Sequence, residues 1–196
     1  MSELSRRNLL QTIAMAATAG SLPLEAAQHV HNVATAEKTT TGAYHPKALN
    51  AHEYKTLEKL ADFIIPAGDN SPSGSVAGAP EFIDLLASQN PELLAIYTGG
   101  IAWLDFACRR HHNTDFLGAT QAQQTMLLDL IAYRKNESPE LGPGIRFFDW
   151  ARRMVVDAYY TSPVGIKDVG YLGNTAVSKF EVPQEAIDYA LKRSPV

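Results

Sequence analysis

The fold is decided by residues 50–66, which read NAHEYKTLEKLADFIIP. Asn50 followed by Glu53 three residues later is typical of a capping box at the start of a helix. Apolar side chains then recur at helical spacing, and Pro66 ends the pattern because proline interrupts a helix. The stretch therefore predicts a capped amphipathic helix, whose apolar positions are Tyr54, Leu57, Ala61 and Ile64.

Start signals of the same kind recur towards the carboxyl terminus. A capping residue or a proline precedes most of these apolar patterns, and runs that alternate between apolar and polar residues are only a few positions long. Helices are predicted to begin at Pro80, Asn90-Pro91, Thr120 with Gln123, Ile145 and Pro183. We therefore predict an all-α fold, a single bundle of five or six helices with long ordered loops.

The amino-terminal segment has the pattern of a twin-arginine export signal. Arg6 and Arg7 precede Leu9 and Leu10, and the Ala- and Thr-rich stretch after them is too short and too weakly apolar to span a bilayer stably. The pattern predicts a removable signal, the twin-arginine translocase as a partner and the bacterial periplasm as the destination. The alternative is a chance pair of arginines, since such pairs recur twice later in the chain.

Residues 25–49 are rich in Ala, Thr and His and show little apolar periodicity. We therefore predict a flexible linker that is ordered only by a partner. The predicted organisation places the signal and the start of the linker at 1–36, the rest of the linker at 37–49 and the helical domain at 50–196. Within that domain residues 161–174 are predicted to form a loop, because Gly is frequent there.

Charge and cysteine content exclude two classes of function. The chain has a net charge of −4 with both signs mixed, whereas a nucleic-acid-binding protein would show clustered Lys and Arg. Cys108 is the only cysteine, so iron–sulfur clusters and zinc sites held by several thiolates are excluded. Cys108 is expected to be a buried free thiol or, if its helix face is exposed, half of a disulfide bridge to a partner.

The sequence lacks the motifs of the common enzyme classes. It contains no Gly-x-Gly-x-x-Gly after a strand, no Gly-x-Ser-x-Gly and no His-Glu-x-x-His. Asp62 and Asp84 stand on separate helical patterns and are interpreted as capping or surface groups rather than as an acid–base pair. We therefore predict no catalytic, cofactor-binding or metal-binding residue in this chain.

The histidines leave one alternative open. His29 and His31 lie in the predicted linker, whereas His111 and His112 follow two arginines at a helix end, where such groups suit the carbonyl-rich terminus. An autonomous periplasmic enzyme or metal-binding protein would have to use these four side chains. His52 has no companion at the spacing of a ligand.

Two stretches carry a resemblance to a known family. The first is ADFIIP at 61–66, continued by Pro72 and residues 77–78 and 82–84, and the second is FF at 147–148 with DAYYTSP at 157–163, followed by Gly165 and GYLGN at 170–174. Together they resemble the gluconate 2-dehydrogenase subunit 3 family. The resemblance covers the chain from Glu53 to Asn174.

The resemblance implies a non-catalytic small subunit with no cofactor of its own. In complexes of this family a large subunit of the glucose–methanol–choline oxidoreductase type holds FAD and oxidises a sugar, a sugar acid or a polyol. A c-type cytochrome with haem often takes the electrons. The small subunit carries the export signal, so its implied role is to escort and stabilise the FAD-bearing partner on the way to the periplasm.

The composition of the 161–174 loop and the residues before it predicts where the partner binds. Tyrosines set among prolines and glycines offer large, rigid contact areas, which is typical of interfaces. The predicted interface residues are Tyr159, Tyr160, Ser162, Pro163, Gly165, Gly170, Tyr171, Gly173 and Asn174. The alternative is that this segment packs on its own bundle.

Overall fold

The computed structural model describes residues 6–18, 23–171 and 181–193. These ranges contain nine α-helices, one short 3-10 helix and no strand. The helices are α1 (Arg6–Thr18), α2 (Leu24–Thr41), α3 (Ala51–Ile64), α4 (Ala79–Ala87), α5 (Pro91–His112), α6 (Gln121–Ile131), the 3-10 helix (Arg134–Asn136), α7 (Gly142–Thr161), α8 (Pro163–Asp168) and α9 (Gln184–Arg193). The all-α prediction is confirmed, although the described helices outnumber the five or six that we expected.

The predicted capping box begins helix α3. The Asn50 side chain accepts hydrogen bonds from the backbone N–H groups of His52 and Glu53, at 2.9 and 3.0 Å. The Glu53 carboxylate in turn accepts from the Asn50 backbone N–H at 2.8 Å. Asn90 caps α5, and a second capping box of Thr120 and Gln123 begins α6. These bonds satisfy amide groups that a helix start otherwise leaves unpaired.

Helix α4 lies at the centre of the bundle. All nine of its residues are buried, and it packs against α1, α2, α3, α5 and α7. A helix that is covered on every side needs apolar residues around its whole circumference, and the run Phe82, Ile83, Leu85 and Leu86 supplies them. Helix α7 is the second central element, since it contacts α2 to α6 and α8.

Helices α5 and α7 cross at two reciprocal notches. A methyl group on Gly100 would overlap the ring of Phe147, and one on Gly144 would overlap the indole of Trp103. Phe147 also meets Tyr97 edge to face, with ring centroids 5.9 Å apart. The absence of a Cβ at both glycines therefore lets the two helices approach closely, with an aromatic ring seated in each notch.

The predicted flexible linker is wrong for residues 24–41, which form helix α2. Ala27, Val30, His31 and Ala34 are buried, and their spacing of three and four residues places them on one helical face. That face packs against α4 and α7. The helix ends at Gly42, whose φ of 83° is the left-handed conformation that favours glycine.

The rest of the predicted linker is held by one buried carboxylate, that of Asp84 on α4. Its two oxygens accept hydrogen bonds from the Tyr44 hydroxyl at 2.7 Å and from the backbone N–H groups of Lys47, Ala48 and Leu49 at 2.6, 3.0 and 2.8 Å. Asp84 is fully buried, so our interpretation of it as a surface or capping group is wrong. It clamps the segment between α2 and α3 onto the core.

Helix α1 also packs on the bundle. Ile13 and Ala14 are buried, Leu10 is partly buried against the core, and the Asn90 side-chain amide donates to the Ala14 carbonyl at 3.4 Å. The side chains of Arg6, Arg7 and Leu9 lie outside the described part of the chain, so the export-signal prediction stays a prediction. No helix within the described ranges is long and apolar enough to cross a membrane.

Candidate partner-binding face

The predicted loop at 161–174 contains a helix. Ser162 ends α7 and begins α8: its hydroxyl donates to the Tyr159 carbonyl at 2.6 Å and accepts from the Gly165 backbone N–H at 3.1 Å. Pro163 stands at the first position of α8, where its missing N–H costs nothing. The prediction of a loop across this segment is therefore wrong for Pro163–Asp168.

Three of the predicted interface residues serve the fold of this chain. Tyr159 is 1% exposed, and its hydroxyl donates to Asp168 at 3.2 Å; burial, followed by that carboxylate, raises its pKa. Asp168 also accepts a hydrogen bond from Ser71. Ser162 and Gly165 are buried, and a methyl group on Gly165 would overlap the Tyr159 carbonyl. These residues are not available to a partner, which corrects our expectation for them.

The other tyrosines of the segment are exposed. Tyr160 is 46% exposed on the last turn of α7, and Tyr171 is 49% exposed just after Gly170, whose φ of 64° turns the chain. Gly173 and Asn174 lie outside the described residues. Three valines on or near α8 are also exposed, and we call the five residues together the α8 face: Val76, Tyr160, Val164, Val169 and Tyr171. Large apolar side chains left exposed in one region often mark an interaction site.

A polar pocket opens within the α8 face, and we call it the α8 socket. It has a volume of about 200 Å³ and lies between α2, the start of α4 and α8. Its polar lining comes from His31, Lys38 and Glu81, and its apolar lining includes Val76 and Val164. Lys38 forms an ion pair with Glu81. Sequence reasoning missed this pocket because it treated the His31 segment as a linker.

His31 is a buried, neutral side chain in this structure. Its ring packs against Phe82 with centroids 4.9 Å apart, and its Nε2 is 3.3 Å from the Thr161 hydroxyl. Burial lowers its pKa from 6.5 to about 4, although a hydrogen bond to the Ala158 carbonyl opposes that effect. Near neutral pH the imidazole is therefore uncharged.

The other histidines do not assemble into a metal site in the described ranges. His111 and His112 lie at the end of α5 with ring centroids 6.3 Å apart, while His29 and His31 lie on α2. No group of three or more His, Cys, Asp or Glu side chains in those ranges is arranged to hold a metal ion. His52 has a partner that the sequence did not reveal, because its Nε2 is 2.7 Å from an oxygen of Asp105.

Cys108 is fully buried on α5. Burial raises the pKa of its thiol to about 11, with smaller contributions from Asp105 and Asp115. A protonated, covered thiol is a poor nucleophile for disulfide exchange. The structure therefore does not support a disulfide bridge from Cys108 to a partner.

A second exposed apolar surface lies between α5 and α6. Phe106 and Met126 are both 61% exposed, and Leu130 is also exposed. Cavities between these helices are lined by Ala107 and Leu127. Met126 and Leu130 are four residues apart and therefore share one face of α6.

The described residues form an all-α domain that leaves apolar side chains exposed around α8 and between α5 and α6. The chain belongs to the gluconate 2-dehydrogenase subunit 3 family, whose model matches residues 51–178, more than half of the sequence. It is thereby a small subunit of a dehydrogenase complex. No curated protein and no solved structure matches the chain.

Proposed function

We propose that this chain is the non-catalytic small subunit that escorts a large, FAD-bearing subunit of the glucose–methanol–choline type to the periplasm and stabilises it there. The twin-arginine signal at Arg6 and Arg7 supplies the route for both chains. FAD is held by the large subunit, and a c-type cytochrome carrying haem is the expected third member of the complex.

The α8 face is the observation that carries this proposal. Tyr160 and Tyr171 are exposed large aromatic residues, and Ser162 together with the Tyr159–Asp168 hydrogen bond holds the backbone between them. A tyrosine that is already positioned loses little conformational freedom when a partner covers it. Such residues are frequent among those that contribute most to binding.

The expected size of the effect is that of a residue at the centre of an interface. Truncation of one central interface tyrosine costs about 2 kcal/mol of association, which corresponds to a roughly 30-fold weaker complex. The bundle itself should stay folded, because both rings are half-exposed in this chain. Truncation of a tyrosine is thus expected to weaken association with the partner without unfolding this chain.

The experiment is purification of the tagged full chain from its host. The expected product is a complex with a much larger chain that shows the yellow absorption of flavin. Tyr160→Ala combined with Tyr171→Ala should lose the large chain, whereas Tyr133→Ala, an exposed tyrosine outside the α8 face, should keep it. A colourless monomer from the unaltered chain would contradict the proposed function. If the double variant keeps the large chain but melts at a lower temperature than the unaltered chain, the interface lies elsewhere.

A further inference from the structure

Helix α1, which carries the predicted export signal, is packed against the bundle. Ile13 and Ala14 follow Leu10 by three and four residues, so the three side chains share one face of the helix. Ile13 is 3% exposed and Ala14 is 0% exposed, while Leu10 packs against the same core. The helix contacts α4 and α2. The apolar stretch that follows Arg6 and Arg7 is therefore partly buried in the folded chain.

Asn90 holds α1 in this position with a side chain that has two roles. Its Oδ1 accepts hydrogen bonds from the backbone N–H groups of Glu92 and Leu93, at 2.9 and 3.1 Å, and so caps α5. Because the oxygen is used for the cap, the Nδ2 group is directed at α1, where it donates to the Ala14 carbonyl at 3.4 Å. Asn90 is buried, so water competes little for this bond. One buried residue of the bundle thus binds the backbone of the predicted signal.

The bundle also stabilises the helical form of α1. Isolated helices shorter than about 12–15 residues are only marginally stable in water, and α1 has 13 residues. Thr12, Ile13 and Thr18 are β-branched, which lowers the helix propensity further. Packing on α4 and α2 therefore supports the helix, and release from the bundle should unfold it.

We propose that the surface of α4 and α2 around Asn90 is an intramolecular binding site for the export signal, and that it keeps the signal masked in the free subunit. This inference rests on the proposed function, because it assigns α1 to the twin-arginine route. An export signal is read as a charged stretch followed by an apolar one. Ile13 and Ala14 belong to the apolar stretch, and a translocase can bind them only after α1 leaves the bundle. Export therefore competes with docking of α1, and the delay gives the flavoprotein time to bind in the cytoplasm.

Asn90→Asp separates docking of the signal from stability of the bundle. Aspartate caps a helix as well as asparagine does, and its charge suits the amino terminus of α5. Its second oxygen, however, accepts instead of donating and faces the Ala14 carbonyl. The substitution should therefore release α1 while α5 stays capped. Asn50→Asp is the matched control, because Asn50 caps α3 by the same pair of backbone hydrogen bonds.

Hydrogen exchange on the isolated full chain tests whether α1 is docked. Backbone amides of residues 10–15 in the unaltered chain should exchange at least tenfold more slowly than those of a synthetic peptide of residues 1–22. Asn90→Asp should raise the exchange rate of this segment at least threefold, because one hydrogen bond changes a population by about that factor or more. Asn50→Asp should leave it unchanged. Exchange at the rate of the peptide in the unaltered chain would overturn the proposal.

Pulse labelling followed by cell fractionation tests the consequence for export. Asn90→Asp should reach the periplasm at least threefold faster than the unaltered chain, and a larger share of it should arrive without the flavoprotein. Asn50→Asp should be exported at the unaltered rate. If Asn90→Asp speeds exchange in α1 but leaves the export rate unchanged, the masking role is refuted.

Ala14→Leu is a second variant in case Asn90→Asp does not fold by circular dichroism. Ala14 is fully buried, so a larger side chain should not fit against the bundle, although it keeps the signal apolar. Gln11→Leu is the control, because Gln11 is exposed and a leucine there makes the signal more apolar without changing the docked face. Export should rise at least threefold with Ala14→Leu alone. An equal rise in both variants would show that apolarity sets the rate and would overturn the proposal.

The masking role and the proposed function can fail separately. Unchanged export of a variant whose α1 is released would refute masking and leave the small-subunit function standing. If neither the small subunit nor the flavoprotein enters the periplasm by a route that needs Arg6 and Arg7, the proposed export function is refuted. The masking role would then fail with it, even where hydrogen exchange shows α1 to be docked.

Discussion

Asp84→Asn is expected to destabilise the chain strongly, although it replaces only one carboxylate oxygen by an NH₂ group. The carboxylate of Asp84 is fully buried and accepts four hydrogen bonds from the segment between α2 and α3. An asparagine of the same shape replaces one of its oxygens by an NH₂ group. In either orientation of the amide, the NH₂ group, itself a donor, faces two hydrogen-bond donors.

The magnitude follows from counting those donors. If the NH₂ replaces the oxygen that accepts from Ala48 and Leu49, two buried backbone N–H groups lose their acceptor; in the other orientation the Lys47 N–H and the Tyr44 hydroxyl do. Each buried group left unsatisfied costs about 1–3 kcal/mol. With two such groups we expect a loss of about 2–6 kcal/mol, a large share of the ~5–15 kcal/mol typical of a domain.

The assay is urea unfolding of the full chain, followed by far-ultraviolet circular dichroism. Asp129→Asn, at an exposed aspartate on α6, serves as the control and should change stability by less than about 0.5 kcal/mol. Tyr44→Phe removes one of the four donors and should cost about 1 kcal/mol. If the free energy of unfolding of Asp84→Asn is within about 1 kcal/mol of that of the unaltered chain, the four hydrogen bonds to Asp84 do not exist in solution.

Three other outcomes follow from the signal, the α7–α8 junction and the buried imidazole. Arg6→Lys combined with Arg7→Lys is expected to retain the chain and its flavoprotein in the cytoplasm, because lysine lacks the planar guanidinium; normal periplasmic levels in fractionated cells would refute this. Gly165→Ala should cost about 2–3 kcal/mol, because the added methyl overlaps the Tyr159 carbonyl, and an unchanged melting temperature would argue against that contact. Burial lowers the pKa of His31 from 6.5 to about 4, so between these values the unfolded chain binds a proton that the native chain does not. The free energy of unfolding should thus fall as the pH is lowered from about 6.5 to about 4, by on the order of 3 kcal/mol, and His31→Gln should flatten that dependence.

Local signals in the sequence were sufficient for most helix starts. Asn50, Asn90 and Thr120 each begin a helix as predicted, because a cap depends only on residues within one turn. Pro163 was read as part of a loop, yet proline is equally suited to the first position of a helix. Composition alone does not separate these two roles.

Helix α2 was missed because its buried face is weakly apolar. Ala27 and Ala34 are small, and His31 counts as polar, so Val30 is the only strong apolar signal on that face. The spacing of three and four residues was nevertheless present and would have predicted the helix. What covers this face is α4 and α7, which lie far away in sequence.

Only part of the candidate site has a local signal in the sequence. Tyr159 follows Val155 by four residues and therefore shares its buried face, a signal that identifies Tyr159 as a core residue. The pairing of Asp84 with residues 44–49 and the approach of His31 to Thr161 join distant parts of the chain. The exposed positions of Tyr160 and Tyr171 become clear only once α8 is placed.

The reciprocal notches between α5 and α7 have a mechanical consequence. Sliding one helix along the other by a turn would drive the rings of Phe147 and Trp103 out of the gaps at Gly100 and Gly144 and into neighbouring side chains. The two helices therefore resist sliding past each other and behave as one rigid unit. Any movement that accompanies assembly should be sought at the periphery, in α1, α8 and α9. Helices α5 and α7 should instead move together, so that a displacement at one end of the pair also displaces the other end.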